Sequence, residues 1–453
     1  MSQTEPVGRA CETAEEGGGE DPGTGGALGA GGSSSSGRGP GSHTRPSVIV
    51  LRPAGPCWGA VMTGTAPRSS GGRVHRPLRG SHAAAVEAAA VRTTRTDAVD
   101  AADPTPGARV DVGLARQTGG ADTTKGAHRM DRTQARELKA EATDLARELS
   151  ERSVLASAQG SRVPLAIGLA PRPDGSYGLA VRYRLGVPTV RSIARKVVAE
   201  VGPVADVRRT GRIRPSTRVR PPVVTAQALG ETGRVRPLRP GVSIAHVDVT
   251  AGTLGAFVTV GGAVHALSNY HVLSGTPAAR VGDVVLQPGP ADGGRAPDDR
   301  VGTLAARVDL EPNGHATVDC AIALLDDPQV DPTYPVGRIT TTAKAVGGER
   351  VGKIGRTTSV TAGRVTAIEL DDVVVGYGEE LGELTFDNQI EVESTGTGPF
   401  SRGGDSGSLV YREDGVALGL LFAGSEVGGD NGTGLTYLNP IDAVLDALGA
   451  TLV

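Results

Sequence analysis

From about Leu238 to the C-terminus the chain is a succession of short apolar runs interrupted by Gly, Pro or Asp. That punctuation favours β-structure over anything else. The runs fall at 254–260, 264–268, 283–287, 302–308, 320–325, 363–370, 384–392, 408–411 and 416–422. Breaks roughly every 8–12 residues predict short antiparallel strands arranged as a sandwich or barrel. Phe, Tyr and Trp make up only 3% of the chain, so Val, Leu, Ile and Ala must build its core. Asn439-Pro440, followed by Ile441, Val444, Leu445 and Leu448 at helical spacing, predicts a terminal helix.

At 453 residues the chain is long enough for two or three domains. Residues 1–129 are dominated by Gly, Ala, Arg, Ser, Thr and Pro, and include Gly31-Gly32-Ser33-Ser34-Ser35-Ser36-Gly37. Such a segment has too little apolar surface to offset chain entropy and is expected to be disordered. Composition changes abruptly at Met130, which carries a second expectation, that translation starts there. Residues 131–152 are rich in helix formers, with Leu138, Ala142, Leu145 and Leu149 on one face. Runs at 163–169 and 177–185, joined through Pro171-Arg172-Pro173-Asp174-Gly175-Ser176, predict a hairpin. Val190, Ile193, Ala194, Val197 and Val201 predict a second helix that stops at Gly202-Pro203. The expected organisation is therefore a small α+β domain at 130–215, a linker at 216–235 and a β-rich domain at 236–453. Arg208, Arg209, Arg212, Arg214, Arg218 and Arg220 read as a solvated linker edge in preference to a contact for an acidic partner.

A formal net charge of -3 gives no electrostatic case for nucleic acid. No run of about 18 apolar residues marks a membrane span, and the N-terminus lacks the basic start and apolar stretch of a signal peptide. Cys11, Cys57 and Cys320 are the only cysteines, so no disulfide framework holds the fold and a reducing, cytoplasmic setting is expected. The sequence leaves homo-oligomerisation open.

Within the β-rich region, Gly403-Gly404-Asp405-Ser406-Gly407-Ser408 places a serine hydroxyl among residues small enough to admit a substrate carbonyl. A serine is a poor nucleophile unless a base removes its proton as it attacks. His271, in Ser268-Asn269-Tyr270-His271-Val272-Leu273, is the candidate base, and Asp319, just before the run 320–325, is the candidate carboxylate that orients it. The backbone N–H groups of Gly404 and Ser406 are candidate oxyanion donors, each worth roughly 2.7–4 kcal/mol in a transition state. Separations of 48 and 87 residues put base and carboxylate in one sheet unit and the serine in another, with the site between them.

These residues, in the order His, Asp, Ser, resemble the trypsin-like, chymotrypsin-fold serine peptidases. The segments 236–244 and 250–257, and Val351-Gly352-Lys353-Ile354-Gly355-Arg356-Thr357-Thr358, resemble more narrowly the intracellular bacterial relatives of plant Narrow-Leaf-type peptidases. The similarity covers about 229–453 and implies a mainly β, double antiparallel β-barrel fold. It also implies endopeptidase action on a polypeptide substrate, with no metal or organic cofactor. No Ile-Val-Gly-Gly-like activation site begins the β-rich domain, so Asp405 is expected to form an internal ion pair or hydrogen bond. The same alignment assigns Phe400 to the floor of the substrate pocket and Phe422-Ala423-Gly424 to one wall, with a small or apolar side chain preferred there. The alternative function is a peptidase-fold module that binds peptides or partners without cutting them.

Competing residues are weaker candidates. His265 lies inside a strand pattern, His246 and His315 occupy polar or turn contexts, and Asp309 precedes a turn. Cys320 reads as a small buried residue, and Asp292, Asp298 and Asp299 as a solvated loop in preference to a calcium site.

Overall fold

The computed structural model describes residues 129–155, 163–215 and 228–453, with the side chains of Val154 and Leu155 left aside. The low-complexity segment through residue 128, Arg218 and Arg220 of the basic run, and residues 216–227 of the expected linker lie outside the described residues.

The first described elements are α1 (Arg132–Leu155), β1 (Leu165–Pro171), β2 (Tyr177–Arg184), α2 (Pro188–Val201) and β3 (Ala205–Thr210). Both helices form for the expected reason. Ala135, Ala142 and Ala146 of α1 and Val190, Ile193, Ala194 and Val197 of α2 are buried, most of them against β1 and β2. Strand β3, read from the sequence only as a basic run, pairs in parallel with β2.

A short β4 (Arg214–Pro215) precedes the β-rich region, which opens with β5 (Ser243–His246), β6 (Gly252–Thr253), β7 (Ala256–Val260) and β8 (Ala263–Ser268). The one-turn α3 (Tyr270–Leu273), β9 (Val284–Leu286), β10 (Arg300–Arg307), β11 (His315–Ala316) and β12 (Ala321–Leu325) follow. Short strands β13 (Thr333–Tyr334), β14 (Gly337–Arg338) and β15 (Thr341–Thr342) line the connection to the second half. That half comprises β16 (Arg350–Gly355), β17 (Ser359–Asp371), β18 (Val373–Gly378), β19 (Gly382–Phe386), β20 (Gln389–Ser394), β21 (Leu409–Arg412), β22 (Val416–Gly424) and β23 (Thr436–Pro440). The chain ends in α4 (Ile441–Leu448) and β24 (Thr451–Leu452).

Strands β16-β21-β22-β23-β20-β17 form a six-stranded barrel, closed by antiparallel pairing of β16 with β17. The other large sheet, β24-β7-β8-β12-β10-β9-β5-β6, curls into a half-barrel, a more open first unit than the resemblance implies. The fold is thus the chymotrypsin-like arrangement of two antiparallel units. Among the described residues no helix is long and apolar enough to cross a membrane.

The α+β segment shares a sheet with the second barrel. Strand β1 pairs antiparallel with β17, matching Ile167 to Asp371 and Leu169 to Ile368, so β1-β2-β3 extend the barrel sheet. Arg208 is 8% exposed at its side chain and binds Glu393 at 2.6 Å and Asp206 at 3.2 Å, an internal ion pair in place of a solvated edge.

Candidate active site

Strands β8 and β12 pair antiparallel with Ser268 opposite Ala321. His271 lies three residues beyond that pair on α3, and Asp319 two residues before it, so one end of the ladder presents both. His271 Nδ1 is 2.5 Å from Asp319 Oδ2, and the backbone N–H of His271 donates to Oδ1 at 3.3 Å. The Asp319 side chain is fully buried. Its main chain is pinned on both sides: Asn439 Oδ1 accepts from its N–H at 2.9 Å, and Asn269 Nδ2 donates to its carbonyl at 2.7 Å. A carboxylate held this way fixes the tautomer with a proton on Nδ1, leaving Nε2 as an acceptor.

Ser406 enters from the second barrel, just ahead of β21. Thr253 on β6 joins the two units, its N–H donating to the Ser406 carbonyl at 2.8 Å and its Oγ1 to the Gly404 carbonyl at 2.8 Å. Ser268, beside the histidine segment, donates its Oγ to the Thr253 carbonyl at 2.8 Å. A side chain at Gly407 would put its Cβ 2.1 Å from that same Oγ, with φ at +92°, so only glycine lets the histidine and serine segments approach this closely. Gly404 has φ of +99°, and a Cβ there would sit 2.3 Å from Thr357 Oγ1. Both glycines flanking the serine are therefore required by position.

The serine hydroxyl is not bonded to the imidazole. Ser406 Oγ donates to the Phe422 carbonyl at 3.2 Å, and His271 Nε2 is buried without a hydrogen-bond partner among the described residues. In serine hydrolases without substrate this bond is often long and tightens in the reactive complex.

Asp405, next to the serine, is fully buried and forms the internal contacts expected of it. Its oxygens accept from the N–H groups of Thr357 (2.9 Å), Thr358 (3.1 Å) and Arg402 (2.9 Å) and from Thr358 Oγ1 (2.7 Å). The cation is Lys353, fully buried on β16, with Nζ 3.5 Å from Asp405 Oδ2. Burial depresses the ammonium below its ordinary value and Asp405 opposes that shift.

Phe400 and Phe422 turn their rings into the core, against the expectation that they line a pocket. Phe400 is 2% exposed in an apolar cluster with Val365 and Val392, and Phe422 packs on Phe386 with ring centroids 4.7 Å apart. Phe422 faces the site only through its carbonyl. A Cβ at Gly424 would meet the Leu435 carbonyl oxygen at 3.2 Å and Ser401 Oγ at 3.7 Å, and that Oγ is 2.7 Å from Thr436 Oγ1.

The remaining candidates are engaged elsewhere. His246 Nε2 is 3.2 Å from Asp283, His265 Nδ1 is 3.0 Å from the Ala263 carbonyl, His315 is exposed, and Asp309 pairs with Arg307. Burial raises the Cys320 thiol well above its ordinary value, as for a core residue. Asp292 is tied to Arg356 and accepts from Ser243 Oγ at 2.6 Å. Sequence reading missed Thr253, Lys353 and Tyr377, whose hydroxyl donates to Asp319 Oδ2.

A half-barrel carrying an Asp-bonded histidine, set against a closed barrel carrying Gly-Asp-Ser-Gly, defines a protease fold of the chymotrypsin-like double-barrel class. The chain belongs to the family of glutamyl endopeptidase 2 of Streptomyces griseus, with 31% identity over 209 residues, 45% of this chain and 89% of that protein. No protein-family model matches the chain. Similar solved structures include protease A of Thermobifida fusca, at 21% identity over 48% of this chain and 98% of that one, with a TM-score of 0.34. Another is a glutamic-acid-specific serine protease that uses a histidine triad in substrate binding, at 28% identity over 48% of this chain and 100% of that one, also with a TM-score of 0.34.

Proposed function

We propose that the chain is a serine endopeptidase with Ser406 as nucleophile, His271 as general base and then acid, and Asp319 as the orienting carboxylate. The observation that carries this reading is the 2.5 Å bond from His271 Nδ1 to buried Asp319, formed at the sheet end that Thr253 joins to the Ser406 loop. Rotation of the Ser406 hydroxyl from the Phe422 carbonyl to Nε2 would allow Oγ to attack the acyl carbon as its proton passes to the imidazole. The N–H groups of Gly404 and Ser406 would receive the negative charge on the carbonyl oxygen, and the imidazolium would protonate the leaving amine.

A polypeptide would bind by adding a strand beside Phe422 and Gly424. The edge of β22 already accepts an extended backbone there, with Pro215 of β4 opposite Ala423 and Arg214 opposite Gly424. Ser401 and Thr436 beside Gly424, together with exposed Arg402 on the same loop, favour a polar or acidic side chain next to the cut over the apolar one expected from sequence. The S. griseus relative, a glutamyl endopeptidase by name, points the same way. We further propose, on the resemblance of residues 236–244, 250–257 and 351–358, that the chain is an intracellular relative of the plant peptidases, acting in the cytoplasm.

The test is labelling by a fluorophosphonate together with cleavage of a peptide panel carrying Glu, Gln, Ala or Leu before the scissile bond. Wild type should label and cut, fastest after Glu, and Ser406→Ala should do neither. A second reading, a peptide-binding module without turnover, draws on the Ser406 hydroxyl lying on the Phe422 carbonyl. Peptide binding by a wild type that neither labels nor cuts would establish that reading instead.

A further inference from the structure

The Asp319 carboxylate has a donor beyond His271. Tyr377, on β18, directs its hydroxyl at the same Oδ2 that meets His271 Nδ1. Its ring stands edge-on to the imidazole, with centroids 6.0 Å apart at 80°, and stacks on Phe386 at 5.9 Å and 26°. Phe386 in turn packs on Phe422, with ring centroids 4.7 Å apart. The tyrosine is thus wedged between the base and the second barrel's aromatic core. Tyr377 sits at the irregularity of the β18–β19 ladder, between Gly376, which pairs with Glu383, and Gly378, which pairs with Gly382, so it is its ring contacts that fix its orientation.

We propose that Tyr377 is a positioning residue for the reaction, its phenol completing the set of donors that holds Asp319 Oδ2 in line with His271 Nδ1. This rests on the peptidase reading of the site. Oδ1 of Asp319 is held by the His271 N–H at 3.3 Å, a long bond, and Oδ2 by the imidazole, so the phenol adds a third donor and raises the number of bonds that rotation about Cβ–Cγ must break. The phenol's positive end also draws off part of the charge that Asp319 presents to the ring.

Among the described residues, the charged and titratable groups facing the phenol are few. They are Asp319 and His271 on the first unit and Tyr270 on α3, whose ring lies under the Arg307 guanidinium at 5.3 Å. Burial first, then the charge of Asp319, push the Tyr377 phenol well above its ordinary value, so it stays a donor throughout the working pH range.

Tyr377→Phe keeps both ring contacts and removes only the hydroxyl. The expected result is a fall in kcat of about 10-fold with KM little changed, since a hydrogen bond to a charged group is lost away from the substrate strand. The acid limb of the kcat/KM profile should also move to higher pH, because Asp319 then directs its full charge at the imidazolium. Tyr377→Ala, which removes the ring as well, should fall further. A Tyr377→Phe enzyme with unchanged kcat and pH profile would overturn the proposal. So would equal losses in the Phe and Ala variants with an unmoved acid limb, since only packing would then be at stake.

A readout independent of turnover separates this from failure of the peptidase reading. The low-field proton NMR resonance of the His271–Asp319 hydrogen bond should shift and exchange faster in Tyr377→Phe, whether or not wild type cleaves peptides. An unmoved resonance overturns the role of Tyr377, whereas absence of fluorophosphonate labelling in wild type overturns only the peptidase reading.

Discussion

Arg182 on β2 and Glu391 on β20 meet inside the protein, the guanidinium Nε lying 2.9 and 2.8 Å from the two carboxylate oxygens. The arginine side chain is 1% exposed and the glutamate fully buried. Arg182 also binds Asp206 at 2.8 Å, and Glu391 accepts from Thr366 Oγ1 at 2.8 Å. Both charges are therefore satisfied, and Glu391 and Asp206 hold the Arg182 guanidinium above its ordinary value against the opposing effect of burial.

Removing one partner of such a pair leaves a charge with no solvent to turn to, at a cost of about 3–5 kcal/mol. Arg182→Met should lower unfolding stability by that order, whereas the double variant Arg182→Met with Glu391→Leu should recover most of the loss. Urea denaturation of the three proteins checks this. Single and double variants of equal stability would mean that the two charges are not coupled.

Lys353 and Asp405 are coupled in the same physical sense but adjoin Ser406. Asp405 has four other donors, so Lys353→Met should leave the fold standing while loosening the Gly403–Ser406 loop around an uncompensated carboxylate. Fluorophosphonate labelling of Lys353→Met should be at least about 10-fold slower than wild type. Lys353→Arg, which keeps the charge, should label faster than the methionine variant. If both label at the wild-type rate, the loop does not depend on this cation.

Most of the β-framework was legible because burial of one face imposes a local pattern. The runs at 254–260, 264–268, 320–325 and 416–422 lie on β7, β8, β12 and β22. The run at 384–392 is instead two strands, split at a turn where Asn388 takes φ of 62°. Strands β16, β18 and β23 went unread because they carry Lys353, Tyr377 and Asn439, polar residues whose partners Asp405, Asp319 and Gln389 lie far along the chain. His271, Asp319 and Ser406 stand in recognisable local motifs. Tyr377 and Thr253 do not, since their roles come from partners 58 and 151 residues away.

Acid should loosen α1 before it unfolds the barrels. Glu369 accepts from Arg132 and Arg136 of α1, each at 2.7 Å. Burial alone would raise its carboxyl, but the hydrogen bonds and charges of the two arginines prevail and hold it below the ordinary value of 4.5. A depressed folded-state value contributes stability that is present above the unfolded value and lost as pH falls through the folded one. Hydrogen exchange in residues 132–150 should therefore accelerate from pH 7 to pH 3 relative to β20 and β22. In Glu369→Gln the exchange should be faster at pH 7 and change less with acid. The apolar face of α1 should keep the helix docked in part, because exposed ion pairs contribute only about 0–1 kcal/mol each.

The edge of β22 beside Ser406, where we propose that a substrate adds a strand, is occupied by the chain itself. Arg214 and Pro215 pair with Gly424 and Ala423, the Gly211 N–H donates to the Val427 carbonyl at 3.0 Å, and the Ile213 carbonyl accepts from the Gly376 N–H at 3.1 Å. A strand edge offers its backbone groups to one partner at a time, so an extended peptide that reaches Ala423 and Gly424 must first release β4. A peptide aldehyde bound at the site should consequently speed amide exchange in residues 211–215 while slowing it in 422–424. Ile213→Ser, which weakens the hold on β4, should lower KM for peptides several-fold without changing the rate of fluorophosphonate labelling, because that small probe does not need the strand edge. Slower exchange in 211–215 on inhibitor binding would show instead that substrate docks alongside β4 and leaves it in place.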